Sequence, residues 1–346
     1  TTLRFLKNKK HVTIIDNLSK RKIDKKLSSN SLTPIATIKN RIDTAKKIFG
    51  KNKIDFENID VSKNVNDLKT LIKTKKPKTI IHFGEQRSAP YSMINSYARE
   101  YTVNNNILGT HNICSSILDV DPKIHLIHLG TMGVYGYSKE LGEIPEGYLD
   151  IQVKKTKKKK SILYPVNPGS IYHMTKCLDQ LIFQYYNKNW GLKVTDLHQG
   201  IVWGTDTPET KIHKNFANRF DYDGIYGTVL NRFCSQAANK HPLTIYGTGG
   251  QTRAFIHISD TAKCISLAEK NSNFDNSRVR IFNQVSEVCN LKFLAQKISN
   301  MYNVKIKYYK NPRKELKKNN LAISSVGLKN LGFKPIVLDD MLLSDI

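Results

Sequence analysis

Tyr172 and Lys176 stand four residues apart in the stretch Pro168-Gly-Ser-Ile-Tyr-His-Met-Thr-Lys176. On a helix that spacing puts a phenol and an ammonium on one face. A cation beside a phenol, in a site with little water, favours phenolate and draws its pKa down from about 10. Thr131 lies in Gly130-Thr-Met-Gly-Val-Tyr-Gly136, at the end of an apolar run, where its hydroxyl could pass on a proton from a substrate alcohol. The three together suit removal of hydride from a secondary alcohol. A bare Tyr-x-x-x-Lys also describes an amphipathic helix with a buried tyrosine and a snorkelling lysine, so the rest of the chain has to decide.

The elements that would position these groups alternate. Apolar strand patterns occur at His11 to Asn17, Ile54 to Asp60, Thr79 to Phe83, Ile124 to Leu129 and Val194 to His198. Helical patterns lie between them at Asn40 to Phe49, Val65 to Lys75, Ala98 to Leu118 and Ser170 to Lys188, after a short amphipathic one at Thr1 to Lys10. Alternation of this kind predicts an α/β fold, a doubly wound parallel sheet with helices on both faces. In a dinucleotide-binding sheet of this type, the strand after the first helix ends in a carboxylate for the adenosine ribose, which gives Asp16 a role; a turn cap is the other reading. The strand and Gly-rich turn expected ahead of Thr1 are not in the sequence, and the chain reads as a fragment of a longer one. Past Gly200 the pattern loosens into short elements, with a strand and helix at Phe255 to Lys270 that would return to the first unit. The expected division is a dinucleotide-binding domain over 1–200 and a smaller substrate lobe over 201–346.

Composition narrows the class. The 346 residues hold 39% apolar residues and no uninterrupted run long enough to span a bilayer, so no membrane insertion is expected. Five cysteines, at 114, 177, 234, 264 and 289, form no C-x-x-C pair and are odd in number, which speaks against a disulfide framework and a structural zinc site and for a reducing compartment. The net charge of +26 raises nucleic-acid binding. The lysines are spread along the whole chain, however, and the one dense run, Lys154 to Lys160, reads as a solvated loop without stacking aromatics. A basic cleft that attracts an anionic nucleotide-sugar is the better reading, and no nucleic-acid partner is expected.

In order and spacing, Asp16, Asp60-Val61, Thr131, Tyr172 and Lys176 resemble the extended short-chain dehydrogenase/reductase superfamily, the NAD-dependent epimerases and dehydratases. Five strings resemble, more narrowly, the branch of that superfamily that joins sulfite to UDP-glucose. They are His82-Phe-Gly-Glu-Gln-Arg-Ser-Ala-Pro-Tyr-Ser-Met93, Leu129-Gly-Thr-Met-Gly133, Phe220-Asp-Tyr-Asp223, Leu230-Asn-Arg-Phe-Cys234 and Thr244-Ile-Tyr-Gly-Thr-Gly-Gly-Gln-Thr-Arg253. The resemblance implies NAD held by Asp16, Asn17 and Lys20 at its adenosine end, Asp60 and Val61 beside the adenine, and Phe83, Gly84, Glu85, Asn105, Val202, Tyr172 and Lys176 along the rest. It implies Thr131, Tyr172 and Lys176 as catalytic groups, and a UDP-sugar bound by Arg87, Thr131, Gln199, Arg232, Gln251, Arg253 and Arg313. Arginine suits this task because its planar fork clamps phosphate oxygens in two places.

Where dehydratases of the superfamily carry Asp-Glu after the threonine, this chain has Met132 and Gly133, and Val134 stands where a glutamate is expected in this branch. His173, beside Tyr172, is therefore the candidate for the remaining proton transfer, since imidazole titrates near neutrality; a packed helix residue is its other reading. The resemblance further implies UDP-glucose and sulfite as substrates, a sulfite-delivering protein as a possible partner, and a homodimer through the helices 98–118 and 170–188. It places the chain in the cytoplasm, or in the chloroplast stroma if the source is a plant or alga. A nucleotide-sugar 4-epimerase or 4,6-dehydratase on the same scaffold, and a non-catalytic NAD-binding protein, stay open at this point.

Overall fold

In chain order the elements are α1 (Thr2–Lys7), β1 (Val12–Ile15), α2 (Ser19–Leu27), α3 (Ile38–Phe49), β2 (Ile54–Glu57), α4 (Val65–Lys75), β3 (Thr79–His82), α5 (Ser96–Val120) and β4 (His125–Thr131). There follow β5 (Tyr148–Gln152), β6 (Lys159–Leu163), α6 (Ile171–Trp190), β7 (Val194–Gln199), β8 (Ile201–Trp203), α7 (Val229–Ala238), β9 (Leu243–Tyr246) and β10 (Thr252–His257). The last are α8 (Ile258–Lys270), β11 (Arg280–Gln284), β12 (Glu287–Asn290), α9 (Leu291–Tyr302), β13 (Ile306–Tyr309) and α10 (Val326–Asn330). The computed structural model describes residues 1–136, 142–154, 158–311, 319 and 321–338.

The central sheet runs β11-β7-β4-β3 with every pairing parallel, and β1 and β2 form a separate parallel pair. Parallel strands need crossover helices, and these cover both faces. Because side chains alternate along a strand, Leu126 of β4 joins Ile113, Ile117, Phe183 and Val194 under α5 and α6. Its neighbour Ile127 joins Leu197, Ile265 and Ala268 under α8 on the opposite face. Residues 280–284 sit well past the boundary expected at 200, yet as β11 they hydrogen-bond to β7 in this sheet. A smaller core of Leu230, Phe233, Leu243, Ile245, Leu294 and Ile298 holds α7, β9 and α9 together.

The lysine-rich stretch is not simply a loop. Lys159 and Lys160 open β6, which pairs antiparallel with β5, and the hairpin is closed by Val153 N–H donating to the Lys158 carbonyl at 3.0 Å. A hairpin needs only one face covered, so Ile162 and Leu163 at its far end are half-buried while both lysines stay exposed, and charge alone concealed the strand. Residues 155–157 of the run lie outside the described residues.

Candidate active site

Helix α6 begins where Ser170 caps it: its Oγ accepts the His173 backbone N–H at 3.1 Å. That start puts Tyr172 in the first turn and Lys176 one turn later, both facing the carboxyl ends of β4 and β7, where ligands of open parallel sheets bind. The Thr131 side chain at the end of β4 acts on the Tyr172 hydroxyl and favours its ionised form. A cavity of about 340 Å³ opens here, bordered by Tyr172, Lys176, Phe83, Arg87, Gln199 and Val202.

Lys176 is buried, and its ammonium is engaged on three sides. It pairs with the Glu85 carboxylate, donates to the Leu129 carbonyl at 2.6 Å, and lies 3.0 Å from His128 Nε2. Burial pushes its pKa down, but Glu85 most of all, with Tyr172 and Asp179, outweighs burial and keeps it charged above the ordinary lysine value. Glu85 in turn is held well below the usual carboxylate range: burial raises it, and the Lys176 ammonium with hydrogen bonds from His128 and His82 more than reverses that.

This bears on the phenol. The sequence predicts a Tyr172 pKa drawn down by its lysine, whereas in the folded protein it is raised. Burial is the largest cause and Glu85 adds to it, while Lys176 and the Thr131 hydrogen bond act the other way without prevailing. The lysine is where the spacing put it; its charge is partly spent on a carboxylate that sequence reasoning had assigned elsewhere.

Behind Lys176 the buried polar groups continue through the sheet. His128 Nδ1 is 2.8 Å from Asp196 Oδ1, Asp196 Oδ2 is 3.0 Å from His198 Nε2, and His198 Nδ1 is 2.6 Å from the Tyr135 hydroxyl. Gly130 leaves room for this row, since a Cβ there would stand 2.6 Å from Asp196 Oδ1 and 2.8 Å from His198 Cδ2. Gly130→Ala is expected to cost about 1–3 kcal/mol, the usual range for overpacking a tight core, as a lower midpoint in urea unfolding. Glu85, His128 and Asp179 have ligand atoms within 4.8 Å of one another, a spacing that could hold a metal ion. The Lys176 ammonium already supplies the cation in that place, and an ion would have to displace it.

The other expected residues divide. Asp16 is exposed at the end of β1 and accepts the Leu18 N–H at 2.6 Å, Asn17 accepts the Ser19 N–H at 2.9 Å, and Asp60 accepts both the N–H and hydroxyl of Ser62. Lys20 pairs with Asp24 and lies 3.5 Å from the centre of the Tyr226 ring. Val61 packs beside Gly84 and Gly109, and Asn105 is buried with its amide 3.4 Å from the Gly84 carbonyl. Phe83 and Gly84 are exposed after β3, but the Glu85 side chain turns inward to Lys176, where a carboxylate repels no phosphate. His173 takes a hydrogen bond between its Nδ1 and Ser170 Oγ at 3.1 Å. Its ring lies so close over Gly133 that any Cβ there would overlap Nε2 and Cδ2.

Of the residues expected to bind the UDP-sugar, Arg87 and Gln199 line the cavity; Arg87 pairs with Asp221 at 2.7 Å and Gln199 donates to Gln284 at 3.0 Å. Arg232 lies instead in a groove with Tyr222, Asp223 and His241, its guanidinium 5.3 Å from the Tyr246 ring centre. Arg253 donates to the Thr252 carbonyl at 2.9 Å. Gln251 is buried, with no hydrogen-bond partner for its side-chain oxygen among the described residues. Arg313 lies outside the described residues. Sequence reasoning missed the interior row of His128, Asp179, Asp196 and His198 and, on the cavity wall, Thr207, Thr210, Asn218 and Thr261.

The sequence pattern of the NAD dependent epimerase/dehydratase family matches residues 2–283. The chain is 40% identical to the chloroplastic UDP-sulfoquinovose synthase of Spinacia oleracea over 351 aligned residues, covering 100% of this chain and 71% of that one. It is also 40% identical to the UDP-sulfoquinovose synthase of Sulfolobus acidocaldarius, over 78% of this chain and 67% of that one. In fold it resembles a UDP-glucose 4-epimerase from Thermotoga maritima solved with UDP-glucose, with a TM-score of 0.71 at 18% identity, covering 99% of this chain and 91% of that one. The chain belongs to the NAD dependent epimerase/dehydratase family, on the branch that holds the UDP-sulfoquinovose synthases.

Proposed function

We propose that the protein converts UDP-glucose and sulfite to UDP-sulfoquinovose by NAD-dependent oxidation at C4, loss of water across C5 and C6, addition of sulfite at C6 and return of hydride to C4. The observation that carries this reading is Tyr172 and Lys176 on the wall of the cavity, with Thr131 next to Gly130 of that wall, in a chain 40% identical to two such synthases. Atoms balance: bisulfite enters and water leaves.

The residues present fit NAD. Asp16 at the open end of β1, with Asn17, Lys20, Asp60 and Val61, would hold its adenosine end, and the exposed Phe83 and Gly84 with Asn105 and Val202 would line the rest. NAD supplies a reversible hydride acceptor. Residues 1–200, with 255–270 returning to them, form the cofactor-binding part in this reading. Residues 201–346 mainly hold the UDP-sugar, through Arg232, Gln251, Arg253 and Arg313 together with Arg87 and Gln199.

Tyr172 takes the C4 hydroxyl proton through Thr131, and Lys176 stabilises the phenolate. The resulting 4-ketone acidifies C5–H. In dehydratases the next base is the glutamate after the threonine; here Met132 is fully buried and Gly133 has no side chain. The His173 imidazole fills the space a side chain at 133 would need, which supports a role for it in removing the C5 proton or protonating the departing C6 hydroxyl. His173→Ala is expected to leave reduction of NAD by UDP-glucose intact and to slow sulfonate formation about 100-fold or more. Equal sulfonation rates in the variant would remove His173 from the mechanism.

The direct assay mixes the full-length protein, NAD, UDP-glucose and sulfite and identifies the product by mass. A sulfonated sugar nucleotide is expected; UDP-galactose or a stable 4-keto-6-deoxy sugar would favour an epimerase or dehydratase instead. Helices α5 and α6 pack side by side and leave Leu108, Leu181 and Tyr185 exposed, which supports a homodimer through them. No described helix is long and apolar enough to cross a membrane, and all five cysteines are free, as suits a reducing aqueous compartment.

A further inference from the structure

His128 sits within the fully buried row behind the site, and the mechanism above does not use it. Its Nε2 is 3.0 Å from Lys176 Nζ and 3.0 Å from Glu85 Oε1, so two groups compete for one ring nitrogen. Two arrangements satisfy the geometry. A neutral ring accepts from the ammonium and leaves Glu85 to Lys176, whereas a protonated ring donates to Glu85 and takes over part of its charge. In both, Nδ1–H donates to Asp196, which also contacts His198; His198 abuts Tyr135, and Tyr135 donates to Asn283 at 2.9 Å. Asn283 is itself fixed, its amide donating to the Pro145 and Ser324 carbonyls at 3.0 and 2.9 Å. The imidazole can therefore neither flip nor retreat, and the choice between the two arrangements falls entirely on Nε2.

We propose that His128 is a positioning residue that shares Glu85 with Lys176 and so sets how much of the lysine's charge reaches the Tyr172 phenol. Every element packed here contributes a group that faces the shared carboxylate or the ring. They are His82 from β3, Thr110 from α5, Asp196 from β7, and Lys176 and Asp179 from α6. Burial, the largest influence on His128, and the neighbouring ammonium both push its pKa down, yet Asp196 and Glu85 together hold it up at about 9. The protonated arrangement accordingly dominates near neutral pH and gives way as the pH rises through that value. Asp179, fully buried 3.6 Å from Nε2, is raised to about 8, first by burial and then by Glu85, and so adds little negative charge near neutrality.

The inference rests on Tyr172 being the proton acceptor, and its test needs neither substrate nor turnover, so its failure is separable from failure of the sulfonation assay. The full-length protein is labelled with tyrosine carrying ¹³C at Cζ, the Tyr172 resonance is assigned by its loss in Tyr172→Phe, and its titration is followed by NMR. Because His128 gives up its proton near pH 9, below the raised phenol midpoint, the parent resonance is expected to move twice: a small step near pH 9 as Glu85 passes back to Lys176, then the large step of the phenol itself. His128→Gln cannot take up a proton and should lose the first step. Glu85→Gln, with no carboxylate left to share, should move that step to lower pH and shrink it by at least half. If His128→Gln does not fold, Asp196→Asn, which keeps the imidazole and removes the carboxylate that holds it, should move the step to lower pH. A parent curve with no step near pH 9, or a step that persists unchanged in His128→Gln or Glu85→Gln, would overturn the proposal.

Discussion

Replacing Tyr172 by phenylalanine is expected to slow oxidation of UDP-glucose by about 10²- to 10⁴-fold, the range for losing a positioned proton-transfer group. The ring, whose centre lies 5.2 Å from that of His173, stays in place; only the hydroxyl is removed. UDP-glucose affinity should therefore hold within a few-fold while the appearance of NADH collapses. Because burial and Glu85 raise the phenol's pKa and the proposed mechanism uses its deprotonated form, the parent's oxidation rate should climb with pH through the neutral range, and the residual rate of the variant should not. Stopped-flow absorbance of NADH checks both. A variant within tenfold of the parent would assign the base elsewhere.

Lys176→Met is expected to destabilise the fold by about 3–5 kcal/mol, as for any buried ion pair that loses one partner, besides abolishing turnover. Glu85, with its side chain 3% exposed, would lose its ammonium partner. The pH dependence identifies the cause. In the parent, the depressed Glu85 pKa contributes stability that is present above the ordinary glutamate value and is lost as pH falls through the folded value. In the variant His128 is the cation left to Glu85, and protonating Glu85 relieves the charge that His128 does not balance, so mild acid should cost the variant less stability than it costs the parent. Adding Glu85→Gln should recover much of the loss in thermal unfolding. A single variant as stable as the parent would contradict the ion-paired interior.

Much of this was legible in the chain. Helix α6 announces itself through the Ser170 cap and an apolar face, so the Tyr172–Lys176 face follows from spacing alone, and β3, β4 and β7 follow from short apolar runs. β11 was harder, because five residues in a region of short elements carry little pattern, and its place beside β7 is set by tertiary packing. The interior row hid in plain sight: His128 stands between Ile127 and Leu129 in an apolar strand, and Asp196 and His198 flank Leu197 in the next. A polar residue at an inward position of a buried strand has to find a partner on the next strand, and His128 paired with Asp196 across β4 and β7 is that case. Which of them would meet is a matter of strand register, which no local signal carries. The inward turn of Glu85 was invisible for the same reason: apart from His82 three residues before it, its partners come from α5, β4 and α6, all distant in sequence.

Following isotopes through one turnover tests the central claim most directly. The full-length protein would be given UDP-glucose bearing deuterium at C4, with sulfite, in ordinary water, and in a parallel run unlabelled UDP-glucose in D₂O. Transient oxidation at C4, with proton exchange only at C5, predicts a sulfonated hexose that keeps the C4 deuterium in the first run and gains deuterium at C5 in the second. A sulfonated product that has lost the C4 label to solvent, or unlabelled C5 in D₂O, would contradict the account, as would the absence of any sulfonated product.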